Sequence, residues 1–131
     1  MLRVDKIILA ILAIEHLGFG IFGFYSPEGI AELTGYELNS EFAYSEIRAY
    51  YTLISGLGLM AFLSIFFHKF ARQTYILFLF MFGCIFLGRL ANYFLTSQMD
   101  NSIMIAMIAE ALVIVLSLWR LASKNGSAVE V

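Results

Sequence analysis

The chain has 131 residues, of which 61% are hydrophobic and only 14% charged, with a formal net charge of −2 and a mean hydropathy of +0.85. Soluble domains carry about 25% charged residues, so this composition points to a membrane and away from a water-soluble globule. There is no Lys/Arg cluster and no basic tail, which removes nucleic acid as a partner. The length allows a single domain. The lone cysteine, Cys84, excludes an internal disulfide or a redox thiol pair within one chain, and is expected to pack mid-span as a small apolar residue.

A membrane-crossing helix needs about 20 mostly apolar residues. The first candidate span runs from about residue 6 to 25. Arg3 and Lys6 before it give it the look of a secretory signal, but no A-x-A cleavage pattern follows and Glu15-His16 interrupts the apolar run, so an uncleaved span is expected. Residues 26–45 form the one long connection, expected on the outer side. Pro27, Gly29 and Gly35 mark turns in it. Ile30, Leu33 and Tyr36 predict a short amphipathic turn lying on the bundle, and Glu28, Glu32, Glu37 and Glu41 make the segment acidic. A solvated surface is the simplest reading of this loop; a cap over a pocket is the sharper one.

The second span covers about 46–67, the third about 73–95 and the fourth about 102–121. The expected fold is therefore an all-α polytopic bundle of four transmembrane helices forming one membrane domain. Arg3 and Lys6 precede the first span, Lys69 and Arg72 separate the second and third, and Arg120 and Lys124 close the fourth. The other two connections have no Lys or Arg. The positive-inside rule then puts both termini in the cytoplasm. Trp119 and the span-end tyrosines Tyr25, Tyr44, Tyr75 and Tyr93 suit interfacial positions.

Five ionisable residues fall inside these spans: Glu15, His16, Arg48, Arg89 and Glu110, with Glu46 at the membrane edge. Each charge at a helix centre costs roughly 2.5–3.5 kcal/mol even on a mild scale, so such residues pair with one another and usually serve function. At 1.5 Å per residue, Glu15 lies about 15 Å, Arg89 about 9 Å and Glu110 about 12 Å from the outer helix ends, and Arg48 lies in the first turn of its span. All four spans thus contribute to one outer-half polar layer. Arg48, Thr52 and Ser55 share a helical face, as do Arg89, Asn92 and Tyr93. Similar depths favour a Glu110–Arg89 pair, with Glu15 beside Arg48 or Arg89. Three carboxylates against two arginines leave one unit of charge, to be met by a protonated His16 or a neutral carboxyl. Small residues in the first two spans (Ala13, Gly18, Gly20, Gly23, Gly56 and Gly58) predict close helix approach. The inner half offers mainly the hydroxyls of Ser64 and Ser117, too little for a continuous channel.

Three functions compete for this layer. The first is a pocket for a hydrophobic or amphipathic small molecule, such as a lipid, quinone or isoprenoid, lined by Glu15, His16, Glu46, Arg48, Tyr51, Arg89, Asn92 and Glu110, with the arginines as polar anchors. The second is an enzyme using Glu15, His16 and Glu110 as acid/base groups. The third is a non-catalytic accessory subunit or homo-oligomer in which the charges form a structural ion-pair layer. No metal or haem signature is present: Glu15 and His16 point about 100° apart on a helix, and His68, read as an interfacial loop residue, is far from His16.

The stretch from Gly18 through Pro27, then Leu33-Thr34-Gly35, then Glu46-Ile47-Arg48-Ala49-Tyr50-Tyr51, and later Gly88-Arg89-Leu90 and Glu110, resembles an uncharacterised bacterial membrane family, domain-of-unknown-function family 4345. The resemblance covers about residues 10–118. It implies a four-helix protein of the bacterial inner (plasma) membrane, distantly similar to DoxX-like proteins, some of which are linked to quinone or thiol redox systems. One departure is Thr52-Leu53, where the family often shows a glycine pair.

Overall fold

The computed structural model describes residues 3–123; Lys124, counted above toward the inner charge, lies outside them. Five α-helices follow in order: α1 (Arg3–Tyr25), α2 (Pro27–Thr34), α3 (Glu41–Phe66), α4 (Ala71–Thr96) and α5 (Asn101–Ala122), with a 3₁₀ turn at His68–Phe70 before α4. The four long helices are long and apolar enough to cross a membrane. They reach somewhat beyond the expected spans, and at the starts of α3 and α5 a polar cap holds the first turn. Ser40 Oγ accepts from the Ala43 amide at 3.2 Å and starts α3 five residues before Glu46. Asp100 Oδ1 accepts from the Ile103 amide at 2.8 Å and starts α5. Asp100→Ala is expected to lower stability by about 1 kcal/mol, read as a drop in unfolding midpoint; an unchanged midpoint would mean that the cap contributes nothing.

The expected amphipathic turn is the two-turn helix α2. Pro27 fits its first turn, where no amide partner is needed, and Gly35 ends it at φ +75°, a left-handed conformation that glycine adopts without strain. Ile30 is fully buried and pins α2 to the bundle, whereas Leu33 and Tyr36 remain largely exposed.

Each long helix buries one stripe at helical spacing. In α1 the stripe includes Asp5, Leu9, Leu12, His16, Gly20 and Gly23; in α4 it is Ala71, Thr74, Tyr75, Phe78 and Phe82; in α5 it is Glu110, Val113, Ser117 and Arg120. The remaining faces stay apolar and exposed, as at Ile14, Phe80, Phe94 and Ile108, which suits lipid contact. Cys84 is exposed on such a face rather than packed inside.

Helix α1 packs most closely on α3, and α4 on α5. Glycine makes the first contact possible. A Cβ on Gly58 would stand 2.6 Å from the Leu17 amide nitrogen, and one on Gly20 would stand 2.6 Å from that of Ser55. Gly18 and Gly56 have open space beside them and take no part in this approach.

The two helix pairs are tied together at the end that carries the N-terminus. Asp5 Oδ1 accepts from Arg120 Nε at 2.7 Å and from the Tyr75 hydroxyl at 3.2 Å, and Oδ2 accepts from Arg120 Nη2 at 2.9 Å. Asp5 is fully buried and the Arg120 side chain is 3% exposed. One sequence expectation is corrected here: Tyr75 is an interior residue rather than an interfacial one. Arg120, near the end of α5, is buried with it. Both lie on the inward stripe of their helices, and Asp5 supplies what their polar atoms require. Nearby, Ser64 Oγ donates to the Met60 carbonyl and shares a hydrogen bond with Thr74 Oγ1, each at 2.7 Å. This half of the bundle is therefore more polar than the hydroxyls of Ser64 and Ser117 alone suggest.

Candidate functional site

Away from the Asp5 end, two adjoining cavities lie beneath α2, which contributes Thr34 to both. One, of about 500 Å³, draws on all five helices: Glu15, His16 and Phe19 from α1, Ile30 and Leu33 from α2, Tyr50, Tyr51 and Ile54 from α3, Phe82 and Arg89 from α4, and Ile105, Glu110 and Val113 from α5. The other, of about 620 Å³, is bordered by Tyr36, Glu46, Tyr50, Tyr51, Arg89 and Asn92 among others. Thr34, Tyr50, Tyr51 and Arg89 line both, so the two meet at the arginine.

Arg89 Nε donates to Glu110 Oε1 at 2.8 Å. Helix geometry explains the meeting: α4 and α5 run antiparallel through a short connection, and each residue lies two to three turns from it. The contact is one-sided. Glu110 is buried, yet its Oε2 has no hydrogen-bond partner. The Arg89 side chain is 35% exposed.

His16 and Glu15 diverge as adjacent helical residues must. The imidazole turns inward, where Nδ1 donates to the Leu12 carbonyl at 2.8 Å and the ring stands edge-on to Phe78 and Phe82 at 4.8 and 5.1 Å between centroids. This hydrogen bond leaves Nε2 as the remaining polar atom of the ring. Glu15 is exposed but borders the same 500 Å³ cavity.

The expected set is therefore partly gathered. Glu15, His16, Tyr51, Arg89 and Glu110 border the smaller cavity; Glu46, Tyr51, Arg89 and Asn92 border the larger. Arg48 is the exception. It is exposed, lines neither cavity, and holds its guanidinium 5.8 Å from the Tyr44 ring centre. The cavity wall of α3 is built by Glu46, Ile47, Tyr50 and Tyr51, and at 100° per residue Arg48 points away from Tyr50. Thr52, expected as its companion, donates to the Arg48 carbonyl at 2.8 Å. Tyr93, expected beside Arg89, also lines neither cavity. Glu15 forms no salt bridge among the described residues, and these contain no group of three or more His, Cys, Asp or Glu arranged to hold a metal.

Of the residues that line both cavities, Thr34 and Tyr50 are outside the candidate set that the sequence pattern gives, as are the apolar wall residues such as Phe19 and Phe82; Tyr50 had a signal. It stands one turn beyond Glu46 on α3, and that i, i+4 spacing was the available signal.

Residues 4–121 match the family model described as "Domain of unknown function (DUF4345)", and the chain belongs to that family. No curated protein matches it, and no solved structure does.

Proposed function

We propose that this member of the DUF4345 family is a membrane protein that binds a hydrophobic or amphipathic small molecule, of the lipid, quinone or isoprenoid type, in the cavity beneath α2. The observation that carries the reading is the half-open Arg89–Glu110 pair. A buried carboxylate oxygen without a partner costs about 1–3 kcal/mol, and here it belongs to a residue that borders a largely apolar cavity. The cavity volume is in the range of small-molecule sites, which combine apolar walls with few polar groups. The distribution of Lys and Arg further supports an outward-facing opening with both termini in the cytoplasm. Acid/base chemistry by Glu15, His16 and Glu110 on a bound molecule is a second reading, favoured by all three bordering one cavity.

Native mass spectrometry of protein extracted with its own lipids tests the proposal. A discrete stoichiometric adduct, lost in Arg89→Ala, is expected. Arg89→Ala should also lower stability by about 1–3 kcal/mol, because it leaves both Glu110 oxygens unpaired. Bare protein, with Arg89→Leu/Glu110→Leu as stable as the parent, would instead make the pair a structural layer.

A further inference from the structure

Resting on the ligand-binding reading, we infer that the cavity takes an amphiphile whose head donates hydrogen bonds and carries no negative charge, such as a hydroxyl or an ammonium group. With Arg48 turned away, the charged side chains bordering the two cavities are the carboxylates of Glu15, Glu46 and Glu110 and the single guanidinium of Arg89. His16 adds an imidazole whose Nδ1 proton is committed to Leu12. Three carboxylates against one guanidinium make the walls acidic. Arg89 already has an anionic partner in Glu110 at 2.8 Å, so a phosphate or carboxylate head would compete with Glu110 for it, in cavities that each carry a further carboxylate, Glu15 in one and Glu46 in the other.

The unmet need of the site is for donors. Glu110 is 6% exposed and its Oε2 lacks a partner. The contrast with the pair at the other end of the bundle is instructive. There Arg120 closes on both oxygens of Asp5 and Tyr75 adds a third bond. The Arg89–Glu110 pair has one bond and a vacant acceptor. Oε2 is covered where it stands, so a hydroxyl or ammonium hydrogen completes Glu110 once the carboxylate turns toward the cavity that the residue borders, and a charged acceptor gives the strongest such bonds. The apolar body of the ligand would lie against Phe19, Ile54, Phe82, Ile105 and Val113.

The test uses four amphiphiles with one tail: dodecylamine, dodecanol, dodecanoate and dodecyl phosphate. Each is titrated against the full chain in a neutral detergent, with binding read by native mass spectrometry and thermal shift. The amine and the alcohol are expected to bind one per chain, at least ten-fold more tightly than the two anions. Glu15→Gln, at an exposed position where the fold is not at stake, should narrow that preference several-fold, and Glu110→Gln should narrow it further. Anions binding as tightly as the amine or alcohol would overturn the headgroup assignment while leaving the pocket. Failure of all four to bind would remove the ligand reading, and the headgroup assignment with it.

Discussion

Asp5→Asn is expected to destabilise the protein by about 3–5 kcal/mol, the range for removing one partner from a buried ion pair. The substitution keeps the size of the side chain and removes its charge, so Arg120 is left as a buried cation facing a neutral amide. Arg120 cannot escape by losing its proton, because a guanidinium stays charged in proteins. Nor can it easily swing out: its side chain is 3% exposed and both of its bonds end on Asp5. Tyr75→Phe should have a much smaller effect, about 1 kcal/mol, since Asp5 Oδ1 keeps its 2.7 Å bond to Arg120 when the 3.2 Å bond from Tyr75 is lost. Asp5→Leu/Arg120→Met removes both charges and should recover most of the stability lost by either change alone. Reversible unfolding in mixed micelles, applied to the two single variants and the double, measures the coupling. Additive losses would show that the two side chains do not depend on each other.

Asp5 also marks where sequence reading stops. The four long helices were legible because a span announces itself by some 20 apolar residues, and the depth of Glu15, Arg89 and Glu110 follows from residue number through the helical rise. Azimuth does not. Hydropathy places Arg48 in the same layer as Arg89, but which wall of a helix faces the bundle depends on packing, and on α3 that wall belongs to Glu46, Ile47, Tyr50 and Tyr51. The same gap hides the burial of Arg120. One hint was present: Asp5 stands at i, i+4, i+7 and i+11 with Leu9, Leu12 and His16, the stripe that α1 buries. The acidic residue thus continued an apolar face, which is a reason to look for a buried cation. The helix start at Glu41 escaped a hydropathy reading for a different reason, since the first turn is set by the polar cap Ser40.

Two glycines on α3, one half-turn apart, should respond to alanine with opposite signs. Gly58→Ala is expected to destabilise by about 1–3 kcal/mol or more, the usual range for overpacking. Its Cβ would stand 2.6 Å from the Leu17 amide nitrogen and 3.0 Å from the His16 carbonyl carbon. Those atoms are backbone, so relief requires α1 and α3 to separate rather than one side chain to rotate. Gly56→Ala meets nothing within 4 Å, and should be neutral or stabilising by up to about 1 kcal/mol through helix propensity. The consequence of Gly58→Ala extends to the cavity. His16 immediately precedes Leu17, and its ring is seated edge-on against Phe78 and Phe82. Moving the α1 backbone at this point shifts the imidazole and the wall it shares with Glu15, so binding at the cavity should weaken together with stability. Gly20→Ala, which would press on the Ser55 backbone at 2.6–2.8 Å, should behave like Gly58→Ala. Unfolding midpoints and ligand titrations on the three variants separate the cases. If Gly58→Ala matched Gly56→Ala in both measurements, the close crossing of α1 and α3 would not be what holds His16 in place.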